Sequence, residues 1–361
     1  MPIEFAQRIR RLPSYPLAGG YDLGTDVAML ASNESCFGPL SEVVEAARAV
    51  LAGTNRYPDP SYATLRRALA DRYGLPADRI ALGNGSCDIL LAAGEALLEP
   101  GSEVVHAWPS FSVYPHLAAA SGAHAIEVPL DAEERHDLDA MLREVTVATR
   151  LVLLCNPNNP TSTAVALGQV QAFLDEVPPH VCVILDEAYV EFSLALGDPF
   201  ASLELLRRHP NLVLLRTFSK VYGLAALRAG YALCGSTEFR IAVDQVRQPF
   251  YLGVAAQAAA VEALRYQDEV ERRVGQTIAE RLSLEDSLRG MGLWVAESDA
   301  NFVWVRLPEG VDEGDVVAGL AERGVLVRAG ASLGSDGALR VTVGTAKDNE
   351  RFVEAVRALL A

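Results

Sequence analysis

The chain has 361 residues, 50% of them hydrophobic and 22% charged, with a formal net charge of -16. That length suits one large core with a smaller satellite, and the composition excludes a disordered or fibrous chain. The acidic balance repels nucleic acid and anionic membranes, so an anionic small ligand needs its own local cluster of arginines.

In chain order, the first forty residues are rich in Pro, Gly, Ser and Asn and too irregular to fold alone, so they are expected to dress a site mouth. No apolar leader and no run of eighteen apolar residues occurs, which gives the expectation of a soluble, cytoplasmic protein. From about residue 45 to 250, apolar runs alternate with helical segments, the pattern of parallel strands with helices on both faces. A glycine turn at 82–88 leads into a helical run at 89–98. Strands are predicted at 104–108, 151–156, 181–186, 212–217 and 230–234, and helices at 138–144 and 169–176. Pro157, Pro160, Pro178 and Pro179 mark breaks. A charged helical stretch at 258–289 links the lobes; the tail then reads strand 301–307, helix 313–323, a short run 325–328, strand 339–343 and a last helix from 349. The expected fold class is α/β. A large domain (45–255) carries a mostly parallel sheet flanked by helices, a smaller α+β domain (256–361) follows, and residues 1–44 contribute to the small domain and the mouth of the site.

Five scattered cysteines without a C-x-x-C pair read as reduced thiols, and six histidines without ligand spacing give no expectation of a metal. The chemistry lies elsewhere. Lys220, in R-T-F-S-K, follows an apolar strand at the carboxyl edge, where open α/β sheets place ligands. Taken alone it reads equally as a solvated strand cap. Thr217, Ser219 and Arg228 change the reading, because hydroxyls and a forked guanidinium suit a phosphate beside a reactive amine. Pyridoxal 5'-phosphate is such a ligand: its aldehyde condenses with lysine and its phosphate needs a fixed cradle. Asp186 ends the apolar run V-C-V-I-L-D, where a carboxylate can keep a pyridine nitrogen protonated, and Tyr189 follows within reach of the ring oxygen. A helix cap and a packed tyrosine are the bland alternative for that pair. Asn159 lies in C-N-P-N-N-P-T-S, a stiff strand-end turn that serves either as a ligand donor or as punctuation. Gly85, Ser86 and Cys87 open a helix whose backbone N–H groups can meet phosphate; the turn matches no nucleotide motif. Phe111 could stack on a planar ring or simply pack in the core.

Together with L-A-S-N-E at Leu30, N-R-Y-P-D at Asn55, P-S-F-S-V-Y at Pro109 and D-E-A-Y-V-E-F at Asp186, these motifs resemble the fold type I pyridoxal-phosphate enzymes over nearly the whole chain. Within that group the chain is similar to the histidinol-phosphate aminotransferase family and its aromatic aminotransferase relatives. The resemblance implies that Lys220 holds the cofactor as a Schiff base and moves the proton, Asp186 pairs with the pyridine nitrogen, Tyr189 and Asn159 hold the ring oxygen, and Phe111 stacks on the ring. It assigns the phosphate to Gly85, Ser86, Cys87, Thr217, Ser219 and Arg228, with Tyr57 reaching in from the partner subunit of a homodimer with shared sites. Substrate contacts implied in the same way are Tyr15, Asn33, Arg328 and Arg340. The chain departs from the family pattern at Ser162, Ala226 and Cys87, where the family has glycine, glycine and an acidic residue.

The activity implied is a ping-pong transamination between L-histidinol phosphate and 2-oxoglutarate, as in histidine biosynthesis. An aromatic amino acid as donor is the alternative, because paired arginines serve a phosphate ester or a carboxylate equally. A lyase or decarboxylase on the same scaffold and a non-catalytic regulator are further readings. The regulator lacks support, since no basic helix-turn-helix segment precedes the domain.

Overall fold

The computed structural model describes residues 3–4 and 26–361. Strand β1 is Ala28–Met29, β2 Ile80–Asn84, β3 Glu103–Trp108, β4 His124–Pro129, β5 Thr149–Cys155, β6 Cys182–Asp186, β7 Leu212–Thr217 and β8 Ala229–Cys234. The later strands are β9 Trp294–Val295, β10 Phe302–Arg306, β11 Val325–Leu326, β12 Arg328–Ala329 and β13 Ala338–Thr342. A seven-stranded sheet runs β2-β8-β7-β6-β5-β3-β4, a four-stranded sheet runs β12-β13-β10-β9, and β1 pairs in parallel with β11.

The central strands are apolar on both faces because helices cover both. Val152, Leu154, Val183, Leu185, Leu212 and Leu214 face one hydrophobic layer, while Leu151, Leu153, Ile184, Val213 and Leu215 face the other. The small antiparallel sheet alternates instead: Val303, Val305, Leu339 and Val341 enter its own core. The large parallel sheet and the smaller antiparallel unit agree with the fold class expected from the sequence.

Three elements differ from expectation. Strand β8, expected to run parallel, is antiparallel to both β7 and β2, so six strands point one way and β8 the other. The connection from Thr217 to Ala229 contains only a short 3-10 turn, Ala225–Leu227, and a parallel return needs a crossover of about a dozen residues or more. Strand β4 had no clear apolar signature because it is an edge strand whose residues are mostly exposed. The stretch expected as one helix over 258–289 is two, Val254–Ala263 and Gln267–Arg289. The first buries Ala256, Ala259, Ala260 and Ala263 against the large core, a stripe at helical spacing that the alanine-rich composition hid. Among the described residues no helix is long and apolar enough to cross a membrane.

Candidate active site

Because β2, β3, β5, β6 and β7 share a direction, their carboxyl ends meet at one edge, and the reversed β8 brings its start there too. The β7–β8 connection therefore presents Lys220 and Arg228 at the same edge. Arg228 has a left-handed backbone (φ 56°) and donates from Nη1 to Ala225 O at 2.8 Å, with Ser219 Oγ at 3.5 Å. Gly85 caps the helix Ser86–Leu97 at φ 80°, and β8 passes directly beneath this turn. A Cβ on Gly230 would run into Ser86 N and lie 2.5 Å from the Gly85 carbonyl carbon, so the close approach requires glycine. Two strands beyond β8, Asp186 is buried at the end of β6. Burial pushes its carboxyl up to about 6, opposed by the hydroxyl of Tyr114, which donates to Oδ2 at 3.1 Å, and by the Ala188 N–H, which donates to Oδ1 at 3.2 Å. The neighbouring Glu187 and Arg216 turn away from the edge and pair at 2.8 Å, both side chains 2% exposed, which ties the D-E-A-Y and R-T-F-S-K segments together. Removing one partner of such a buried pair costs about 3–5 kcal/mol.

The opposite wall comes from the small sheet. In β13 the alternation that buries Leu339 and Val341 turns Arg340 and Thr342 to the other face. Arg340 pairs in register with Arg328 of β12 and Trp304 of β10. It donates from Nη1 to Asn159 Oδ1 at 2.6 Å and from Nη2 to Ala31 O at 2.7 Å. Lys220 Nζ donates to the carbonyls of Ser32 (3.2 Å) and Asn33 (2.9 Å) and lies 5.6 Å from the centre of the Tyr189 ring. Burial, and then the positive charge of Arg340, push the Lys220 amine down to about 7. Asn33 Nδ2 donates to the Tyr189 hydroxyl at 3.1 Å. Edge and wall enclose a cavity of about 430 Å³.

Residues 25–356 match the family model described as aminotransferase class I and II. The chain belongs to that family. It is 46% identical to the aromatic amino acid aminotransferase of Thermobifida fusca over 91% of this chain and 89% of that one. The aromatic amino acid aminotransferase of Mycolicibacterium smegmatis is 42% identical over 98% and 95%. A crystal structure of histidinol-phosphate aminotransferase from Sinorhizobium meliloti in complex with pyridoxal-5'-phosphate superposes with a TM-score of 0.87 at 29% identity, covering 99% of this chain and 97% of that one. The protein is accordingly a pyridoxal-phosphate-dependent aminotransferase of fold type I, acting on an amino donor and a 2-oxo acid acceptor.

The donor set of this aminotransferase fits the cofactor. A helix start, hydroxyls and a guanidinium gather at Gly85, Ser219 and Arg228, a buried carboxylate stands at Asp186, and a partly buried amine at Lys220 shares their cavity. Of the residues expected from the sequence, Asn33, Ser86, Cys87, Phe111, Asn159, Asp186, Tyr189, Thr217, Ser219, Lys220, Arg228, Arg328 and Arg340 all line that cavity. Gly85 forms the turn beside it. Tyr57 does not line it; its side chain is 80% exposed and stacks on Phe250 at 4.5 Å. Tyr15 lies outside the described residues. Cys155 is buried and also lines the cavity. Burial pushes the Cys87 thiol up to about 11, so where the family has an acidic residue this chain presents a neutral group.

Sequence reasoning missed Tyr114, which opens the helix Tyr114–Ser121 and packs edge-on against Phe111 at 5.7 Å between ring centres. It also missed Thr342, two positions after Arg340 in a strand and hence on the same face, and Ser32, whose backbone rather than side chain makes the contact.

Proposed function

We propose that this aminotransferase acts on aromatic amino acids, with 2-oxoglutarate as the returning acceptor. This reverses the order expected from the sequence, which put L-histidinol phosphate first. The observation that carries the reading is the 46% identity to the Thermobifida fusca aromatic amino acid aminotransferase over 91% of the chain, against 29% to the histidinol-phosphate aminotransferase structure. The geometry is compatible: Arg340 and Arg328, neighbours across two strands, offer forked donors to a substrate carboxylate. Phe111 and Tyr189 line the same cavity and can receive an aromatic side chain.

When bound, pyridoxal phosphate supplies an electron sink for the carbanion left by removing the proton from the substrate's α-carbon. Lys220 would be the residue that holds the cofactor covalently and, as a free amine, the base that moves the proton at the substrate's α-carbon. An amine already lowered to about 7 by burial and Arg340 is neutral enough for both tasks near physiological pH. Asp186, steadied by Tyr114, would pair with the pyridine nitrogen. Tyr189 and Asn159 would hold the ring oxygen; the Asn159 carbonyl is taken by Arg340, which leaves Nδ2 as its donor. Phe111, which lines the cavity, would stack on the ring. Gly85, Ser86, Cys87, Thr217, Ser219 and Arg228 cradle the phosphate. In this reading two copies of the chain form a dimer with shared sites, and the exposed Tyr57 of one copy completes the phosphate cradle of the other. Asn33, Arg328 and Arg340 contact the substrate.

Comparison of kcat/KM for phenylalanine and histidinol phosphate, with 2-oxoglutarate as acceptor, tests the reading. A preference for phenylalanine of about tenfold or more is expected, since one or two polar contacts separate the two substrates. A preference for histidinol phosphate overturns it.

A further inference from the structure

Asn33 is the point where the small sheet touches the chemistry. Its backbone is left-handed (φ 52°), a conformation asparagine adopts more readily than most residues, and it is 1% exposed. Four groups hold it. Its N–H donates to Thr342 Oγ1 at 2.9 Å, and Thr342 Oγ1 in turn donates to Asn33 Oδ1 at 3.2 Å. Its carbonyl accepts from Lys220 Nζ at 2.9 Å and from Asn301 Nδ2 at 3.2 Å. On the far side Asn33 Nδ2 donates to the Tyr189 hydroxyl at 3.1 Å.

The direction of each proton in this chain follows from the donors available. Thr342 Oγ1 accepts the Asn33 N–H on one lone pair, and its single proton lies on the contact to Asn33 Oδ1. The amide oxygen is thereby fixed toward Thr342 and the amide nitrogen toward Tyr189. Tyr189 must then accept, and its own proton is left to point elsewhere. The reverse amide orientation would take this acceptor from Thr342 and turn Tyr189 into a donor toward Asn33.

We infer that Thr342 is a positioning residue of the aminotransferase: through Asn33 it commits the Tyr189 hydroxyl to donate into the cavity, toward the cofactor's ring oxygen. The inference rests on the role proposed above for Tyr189. Charged and titratable groups also face that tyrosine. Arg340 favours its ionised form, Asp186 and Cys155 oppose it, and Lys220 lies over its ring. Thr342 does not titrate, so its effect is one of proton direction alone.

The test is a pH titration of the visible absorbance of the holoenzyme, in which donation to the ring oxygen stabilises its deprotonated form and lowers the midpoint. Tyr189→Phe is expected to raise the midpoint by about half to one pH unit. Thr342→Val, which keeps shape and loses the hydroxyl, is expected to raise it in the same sense, and Thr342→Ser to restore it. Thr342→Ala carries the same expectation with less demand on the core. On a Tyr189→Phe background Thr342→Val should add nothing. A Thr342→Val or Thr342→Ala midpoint equal to wild type, or an equal further shift on the Tyr189→Phe background, overturns the inference. A Tyr189→Phe midpoint equal to wild type removes the Tyr189 role itself, and the inference with it.

Discussion

The two walls of the cavity are built on different principles. The large-sheet edge collects residues from strand ends and the turns after them, so each contributor sits beside its own apolar run and a local motif announces it: Asp186 after β6, Lys220 after β7, Asn159 after β5. The small-sheet wall instead uses the cavity-side face of a strand, where the buried Arg340 and Thr342 alternate with core residues and reach partners as much as 309 positions away in sequence. The edge carries the groups suited to the cofactor; the wall sets their charge and proton arrangement. Lys220 belongs to the first and is tuned by the second.

The sharpest way to break that division is to delete the edge's amine. Lys220→Ala should lower turnover of phenylalanine by about 10⁴-fold or more, the top of the range for a positioned acid–base group, because anchor and base disappear together; steady-state kinetics reads it.

Removing the wall's charge is expected to act in two ways. Arg340→Gln should lower kcat/KM for the 2-oxo acid by about 10- to 100-fold, through loss of charge-assisted hydrogen bonds. It should also move Lys220. A neutral amine is needed to capture the cofactor, so the rate at which apoprotein takes up pyridoxal phosphate should rise with pH and level off above about 7. Without the nearby positive charge the protonated amine is less disfavoured, and the plateau should begin at higher pH. An unchanged pH dependence in Arg340→Gln would separate the wall from the lysine.

A smaller effect probes the edge's backbone. Gly230→Ala places a methyl against the Gly85–Ser86 turn, and cofactor affinity, measured by equilibrium titration, should fall by about tenfold while secondary structure persists. The smallest change is a gain. Ser162 is buried, holds φ 62°, and its Oγ has no hydrogen-bond partner among the described residues. Ser162→Gly relieves the left-handed strain and should stabilise the fold by about 1 kcal/mol, read as a higher denaturation midpoint.

The same contrast explains what could be read from the sequence. Residues such as Lys220, Asp186, Asn159 and the Gly85–Ser86 turn follow their own strands, and the apolar runs that locate the strands locate them too. The reversal of β8 was not legible from its apolar composition, only from the brevity of the segment before it. Thr342 was illegible for a different reason. A threonine in a strand is ordinary, and only the fold that brings Asn33 against it turns it into a clamp. Tyr114 was passed over because it packs in the core, and only the fold brings its hydroxyl to Asp186. Tyr57 entered only through the family resemblance, and within one chain it is exposed and lies outside the lining of the cavity.

The most direct test of the account is a single-turnover measurement with phenylalanine and holoenzyme in the absence of any acceptor. The account predicts release of about one equivalent of the aromatic 2-oxo acid per chain, followed by arrest until 2-oxoglutarate is added, as a ping-pong cycle requires. Continuous product release without acceptor, or no release from phenylalanine alongside a full equivalent from histidinol phosphate, would contradict it.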